Sequence, residues 1–87
     1  MPFKVLEVQP TPNPNAAKFI LDGAITEQPT SFFNADQAQG HPLATQLFAI
    51  PGVTSVLLLG DFVTINKRPE VKWNAITEKV EAVLGSA

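Results

Sequence analysis

Val53-Thr54-Ser55-Val56-Leu57-Leu58-Leu59-Gly60-Asp61-Phe62-Val63-Thr64-Ile65-Asn66-Lys67 is two runs of strand-forming residues around a glycine-led dipeptide. β-branched and large aliphatic residues dominate both runs, which suits a pleated, half-buried surface. A two-residue connection with glycine first favours a type II′ turn, whose twist matches that of the flanking strands. The stretch therefore predicts an antiparallel hairpin with strands over Val53–Leu59 and Phe62–Lys67. Thr54, Ser55, Thr64 and Asn66 are the expected polar side, and Leu57, Leu59, Val63 and Ile65 the expected core side.

Helical signals bracket this hairpin. On its N-terminal side Pro42 suits a first helical position, Leu43, Leu47 and Ile50 recur at helical spacing beside Phe48, and Pro51-Gly52 stops the run. A helix is expected over Pro42–Ile50. Beyond Pro69, residues Trp73, Ile76, Val80, Val83 and Leu84 fall on one helical stripe, with Gly85 as a C-terminal stop, and predict a helix over Glu70–Leu84. Trp73 then reads as a core residue on that stripe, or as an anchor for a partner.

Further from the hairpin, Phe3–Gln9 is rich in Phe, Val and Leu and predicts a strand. Ala17, Phe19 and Leu21 alternate with Lys18 and Ile20 before the turn signal Asp22-Gly23, which predicts a second strand antiparallel to the first. Residues 24–40 carry the least pattern. Within them Ala35-Asp36-Gln37-Ala38 suits one helical turn, and Phe32-Phe33 suits either a short edge strand or two side chains plugging the core from a loop. The order β-β-α-β-β-α predicts an α+β fold in two layers, with two hairpins joined into one antiparallel sheet and both helices on the same face.

Thr11-Pro12-Asn13-Pro14-Asn15 lies between the first two strands and holds two of the eight prolines. Each proline fixes its own φ and pushes the preceding residue toward extended geometry, so the loop should be stiff. Asn13 and Asn15 suit successive turns. The pentapeptide is a rigid connector on one reading and a functional loop held by a rigid scaffold on the other.

Composition narrows the classes of function. At 87 residues the chain is expected to form one domain with one small core, and 45% hydrophobic with 16% charged residues lies in the globular range. No cysteine is present, which removes disulfides, thiol catalysis and thiolate ligation of metals or clusters. A formal charge of −2 with a single basic pair, Lys67-Arg68, argues against general affinity for nucleic acid or anionic membrane. No secretory signal or membrane-spanning run is visible, so a reducing cytoplasm is the expected location.

Chemistry-bearing residues are sparse. His41 is the lone histidine and there is no cysteine, so a His pair or a His-Cys arrangement could come only with a second chain, and its place before Pro42 suits a helix N-cap or an exposed residue. The eight carboxylates show no metal-ligand spacing, and the five glycines stand singly rather than in a phosphate loop.

Three stretches go beyond what strand or helix periodicity demands. Thr11-Pro12-Asn13-Pro14-Asn15-Ala16-Ala17-Lys18-Phe19 comes first. Pro42-Leu43-Ala44 with Leu47-Phe48 and Ile50-Pro51-Gly52-Val53 follows, and then Gly60-Asp61-Phe62-Val63-Thr64-Ile65 with Trp73-Asn74. In order and spacing they resemble the N-terminal domain of Nfu-type (NifU-like) iron-sulfur scaffold proteins, over nearly the whole chain. The resemblance implies a role in iron-sulfur cluster assembly, with iron binding a property of the family as a whole. In that family a Cys-x-x-Cys motif in a separate C-terminal domain holds the cluster, so none of its ligands carries over to this chain. His41 stands where relatives tend to place a small hydroxyl residue.

The resemblance thus implies a non-catalytic accessory or interaction domain over residues 1–87, standing alone and with no cofactor of its own. Thr11, Pro12, Asn13, Pro14 and Asn15 would be its site for meeting partners, namely iron-sulfur assembly factors or client apoproteins. The residues leave two other readings open. One is weak iron binding by carboxylates and His41, which a hard cation would tolerate; the other is a small hydrolase with carboxylates near the Pro-Asn loop.

Overall fold

The computed structural model describes residues 3–86. Its elements are β1 (Val5–Pro10), β2 (Ala16–Leu21), β3 (Thr30–Phe32), α1 (Pro42–Phe48), β4 (Val53–Leu59), β5 (Phe62–Lys67), a 3-10 turn (Trp73–Ala75) and α2 (Thr77–Gly85). The five strands form one sheet in the order β1-β2-β5-β4-β3, with every neighbouring pair antiparallel. The fold is α+β, as the element order predicts, and the β2–β5 pairing joins the two hairpins.

Gly60 has φ of 57° and Asp61 does not share that left-handed region, which fits the type II′ sign pattern of the tight turn opposite Leu59 and Phe62. Val63 and Ile65 point into the core as expected. Their cross-strand partners, however, are Leu58 and Val56, so Leu57 and Leu59 lie on the open face and not among the core residues. A bulge between Val53 and Ser55 inserts Thr54 as the extra residue and brings Val53 back beside Lys67. Ser55 and Asn66 pair on the open face, hydrogen-bonded side chain to side chain.

The inner face carries Ala17, Phe19, Leu21, Val56, Leu58, Val63 and Ile65, packed against Ala44, Leu47, Ile50, Ile76, Val80 and Leu84 from the helical layer. Both helices therefore cover one face. α1 begins with Pro42 at its first turn, and His41 caps it: its Nδ1 accepts the Ala44 N–H at 3.2 Å. The imidazole does here what a hydroxyl residue would do, and it also packs edge-on to Phe32 at 5.3 Å between ring centroids.

Two elements are shorter than their sequence signals. α1 stops at Phe48, and Ile50 reaches the core from the following turn. α2 starts at Thr77 and not at Glu70, because Val71 folds back onto the Arg68 carbonyl and Trp73 opens a separate 3-10 turn. Gly85 closes α2 rather than following it. Phe32 is in the edge strand and buried, while Phe33 lies beyond it and is 71% exposed.

Candidate functional site

Thr11–Asn15 joins β1 to β2 at one end of the sheet, and nearly every polar group in it has a structural task. The Thr11 hydroxyl lies 2.8 Å from the Asn13 carbonyl and 3.0 Å from the Ala16 carbonyl, and it accepts the Asn13 N–H at 3.2 Å. Asn13 Oδ1 accepts the Asn15 N–H at 2.9 Å, an Asx turn, while its carbonyl accepts the Ala16 N–H. Two prolines and these local bonds hold the loop in shape, as the residue pattern predicts.

Three longer-range bonds tie the loop to the rest of the sheet end. The Lys67 N–H donates to the Asn15 carbonyl at 2.8 Å, Lys67 Nζ donates to Asn15 Oδ1 at 3.0 Å, and Trp73 Nε1 donates to the Pro14 carbonyl at 3.0 Å. Lys67 is only 8% exposed, the one buried charged residue among those described, and its ammonium also sits 5.5 Å from the Trp73 ring centroid. A buried ammonium needs acceptors, and Asn15 with the Arg68 carbonyl supplies them. The Pro-Asn loop is therefore part of the means by which this cation is accommodated.

Trp73 is half-buried and not enclosed between α2 and the sheet as its place on the stripe predicts. Its ring leans on Phe19 at 6.3 Å, and its N–H is the long-range clamp on the loop. Between the indole and the end of β1 lies an apolar groove of about 330 Å³, lined by Val8, Pro10, Ala17, Trp73 and Thr77 and bordered by Asn13 and Pro14. Val8 and Pro10 pair with Phe19 and Ala17, so they belong to the helix-covered side of the sheet, yet the helices stop short of them. Val8 is 39% exposed in consequence. Pro12, Asn13 and Pro14 form the exposed rim.

The groove was not legible in the sequence as a site, although Pro10 directly before the Thr-Pro-Asn-Pro-Asn run signals where β1 must end. His41 lies elsewhere, at the start of α1, and does not meet the loop. Among the described residues no group of three or more His, Cys, Asp or Glu is placed to hold a metal ion. Carboxylates and His41 therefore do not come together as an iron-ligand set, and no carboxylate lines the groove as the hydrolase reading would want. With no cysteine in the chain, the residues do not fit an iron-sulfur cluster either. Among the described residues no helix is long and apolar enough to cross a membrane.

Comparison with known proteins agrees with this architecture. The human protein named NFU1 iron-sulfur cluster scaffold homolog, mitochondrial, is 38% identical over 84 residues, which cover 94% of this chain and 33% of that protein. Conserved virulence factor C of Staphylococcus haemolyticus is 29% identical over 97% of this chain and 23% of its own length. The chain thus spans a third or less of the curated relatives it matches. A NifU-like protein of Saccharomyces cerevisiae, solved by NMR, superposes with a TM-score of 0.80 at 32% identity, covering 92% of this chain and 74% of that one. A Staphylococcus aureus protein known from a crystal structure gives 0.76 at 26% identity, covering 92% and 96%. The family model described as "Scaffold protein Nfu/NifU N terminal" matches residues 6–87, and the chain belongs to that family.

Proposed function

We propose that this chain is a non-catalytic interaction domain of iron-sulfur cluster assembly, which meets an assembly factor or a client apoprotein through the Thr11–Asn15 loop and the groove beside it. The cluster is the cargo of the system and is held by cysteines supplied from outside residues 1–87, which act as one domain. Membership of the scaffold family supports the assembly role. The observation that carries the site is the pairing of a pre-shaped proline rim with an uncovered apolar groove, since a rigid, partly apolar concavity loses little order on binding. The lack of cysteine suits a reducing compartment, the cytoplasm of our reading, although the human relative is named mitochondrial.

The test is a binding titration of the purified chain against purified iron-sulfur assembly factors and client apoproteins. One of them should bind, and Val8→Gln should weaken that binding about tenfold or more while leaving the melting temperature almost unchanged, because Val8 is partly exposed. Binding that is indifferent to Val8→Gln would move the interface off the groove. Failure of every such partner to bind would remove the assembly role itself.

A further inference from the structure

β1 is an edge strand, and the ladder it shares with β2 fixes which of its backbone groups are spare. In an antiparallel sheet each residue turns its N–H and carbonyl to one side, and successive residues turn them to opposite sides. Asn15 and Leu21 bond toward β5, the Asn15 carbonyl accepting the Lys67 N–H and the Leu21 N–H donating to the Asp61 carbonyl, whereas the Asp22 N–H donates to the Lys4 carbonyl. Lys18 and Ile20 therefore bond toward β1, where they pair with Gln9 and Glu7. Val8 is left with its N–H and carbonyl turned outward, and Pro10 with its carbonyl. The same alternation puts the Val8 and Pro10 side chains beside the groove, and those of Glu7 and Gln9 on the open face of the sheet. Of the three large apolar side chains that are exposed among the described residues, Leu6 and Val8 both stand on β1.

Spare backbone groups on a sheet edge are complementary to the backbone of another extended chain. From this, and resting on the loop and groove being the partner site, we infer that the partner enters as an extended segment that adds to the sheet as a further strand, antiparallel to β1. One residue of the segment lies opposite Val8, exchanges two hydrogen bonds with it and drops a bulky apolar side chain into the groove between Val8, Pro10 and Trp73. Two residues earlier in the segment an N–H donates to the Pro10 carbonyl. One residue later, on the open face, a Lys or Arg meets Glu7, which is exposed and takes its 3.1 Å bond from a neutral group, Gln9 Nε2. The bulge between Val5 and Glu7 and the missing donor of Pro10 confine the pairing to Glu7–Pro10. These two features also decide against a second copy of this chain as the added strand. Two β1 strands paired about Val8 would set each Pro10 against the other's bulge and keep only the Val8 bonds, and paired about Glu7 they would oppose two carboxylates.

An NMR titration of the isotope-labelled chain tests this with an end-blocked peptide, Thr-Val-Thr-Phe-Lys-Val, and a twin methylated on the Phe nitrogen. The first should shift the Val8 amide and the Trp73 indole N–H, and should slow the exchange of the Val8 amide with solvent. Methylation keeps every side chain and removes one donor, so the twin should bind about tenfold more weakly. In the chain, Val8→Pro removes the outward donor without removing a bond to β2, a change that an edge strand tolerates, and it should weaken the peptide about tenfold as read at the Trp73 indole. Equal binding of the methylated twin, a Val8 amide that exchanges as fast in the complex as in the free chain, or shifts confined to the other edge at Thr30–Phe32 would each overturn the inference. So would no shifts at all, or a dimer of the chain that excludes the peptide. An assembly partner weakened by Val8→Gln, which keeps the Val8 N–H, and indifferent to Val8→Pro would leave the proposed function standing and remove the added strand.

Discussion

Removing the Asn15 side chain would strip the Lys67 ammonium of its 3.0 Å acceptor and leave it the 3.4 Å contact with the Arg68 carbonyl. Asn13, by contrast, bonds only within its own turn. Asn15→Ala should therefore cost about 1.5–3 kcal/mol, the range for a bond to a charged group, and Asn13→Ala about 1 kcal/mol. Urea denaturation of the two single variants checks this; equal losses would mean that Lys67 finds another acceptor. Trp73→Ala should cost about 2–3 kcal/mol, below the 3–5 kcal/mol of an enclosed aromatic, because the indole is only half-buried. The stiffness of the loop could be read from its prolines and asparagines. Its anchors could not, since they stand 52 and 59 positions away in sequence and local pattern carries no trace of them.

At the scale of elements, the link from β5 to α2 is where pattern and structure part. The stripe that begins at Trp73 suggests one long helix, but Val71 is required against Gly52, where the chain enters β4. Gly52 has φ of 98°, and a Cβ built there would come within 2.9 Å of the Val71 side chain. Its carbonyl also accepts the Arg68 N–H. Gly52→Ala should thus destabilise by about 2 kcal/mol or more through both strain and overlap. A second change, Val71→Ala, should recover only the part of the overlap that the two γ-methyls make, and a thermal melt of the single and double variants measures that part against the strain that remains. The inward set of β4 was legible in principle: with a two-residue turn Leu58 must sit opposite Val63 and share its face. Assigning Leu57 and Leu59 inward conflicts with that turn, whereas the bulge at Thr54 has no sequence signal. The capping role of His41 could be anticipated from Pro42 alone.

For the whole molecule, the layers and the antiparallel pairing follow from element order, but the strand order does not. Local pattern cannot say that β5, rather than β4, lies against β2. Given the observed order, the amides of Phe19, Val63 and Leu58 in the three inner strands should exchange with solvent most slowly, and those of the outer strands β1 and β3 sooner. Hydrogen exchange followed by NMR would show this, and slow exchange at Leu6 or Ser31 would contradict it. Anaerobic reconstitution with iron and sulfide should leave the chain without a cluster, since no thiolate is available to hold one; stoichiometric charge-transfer absorption would refute this. The Phe3 N–H donates to the Leu84 carbonyl at 2.8 Å, so β1 sets out from where α2 finishes, at the end of the sheet away from the Pro-Asn loop. A circular permutant of residues 3–86 should accordingly fold, with a few glycines joining residue 86 to residue 3 and new ends opened in the exposed turn at 34–37. By the same geometry the unit can be spliced into a host loop or carried between neighbouring domains, with its tethers leaving from one side and the groove facing the other.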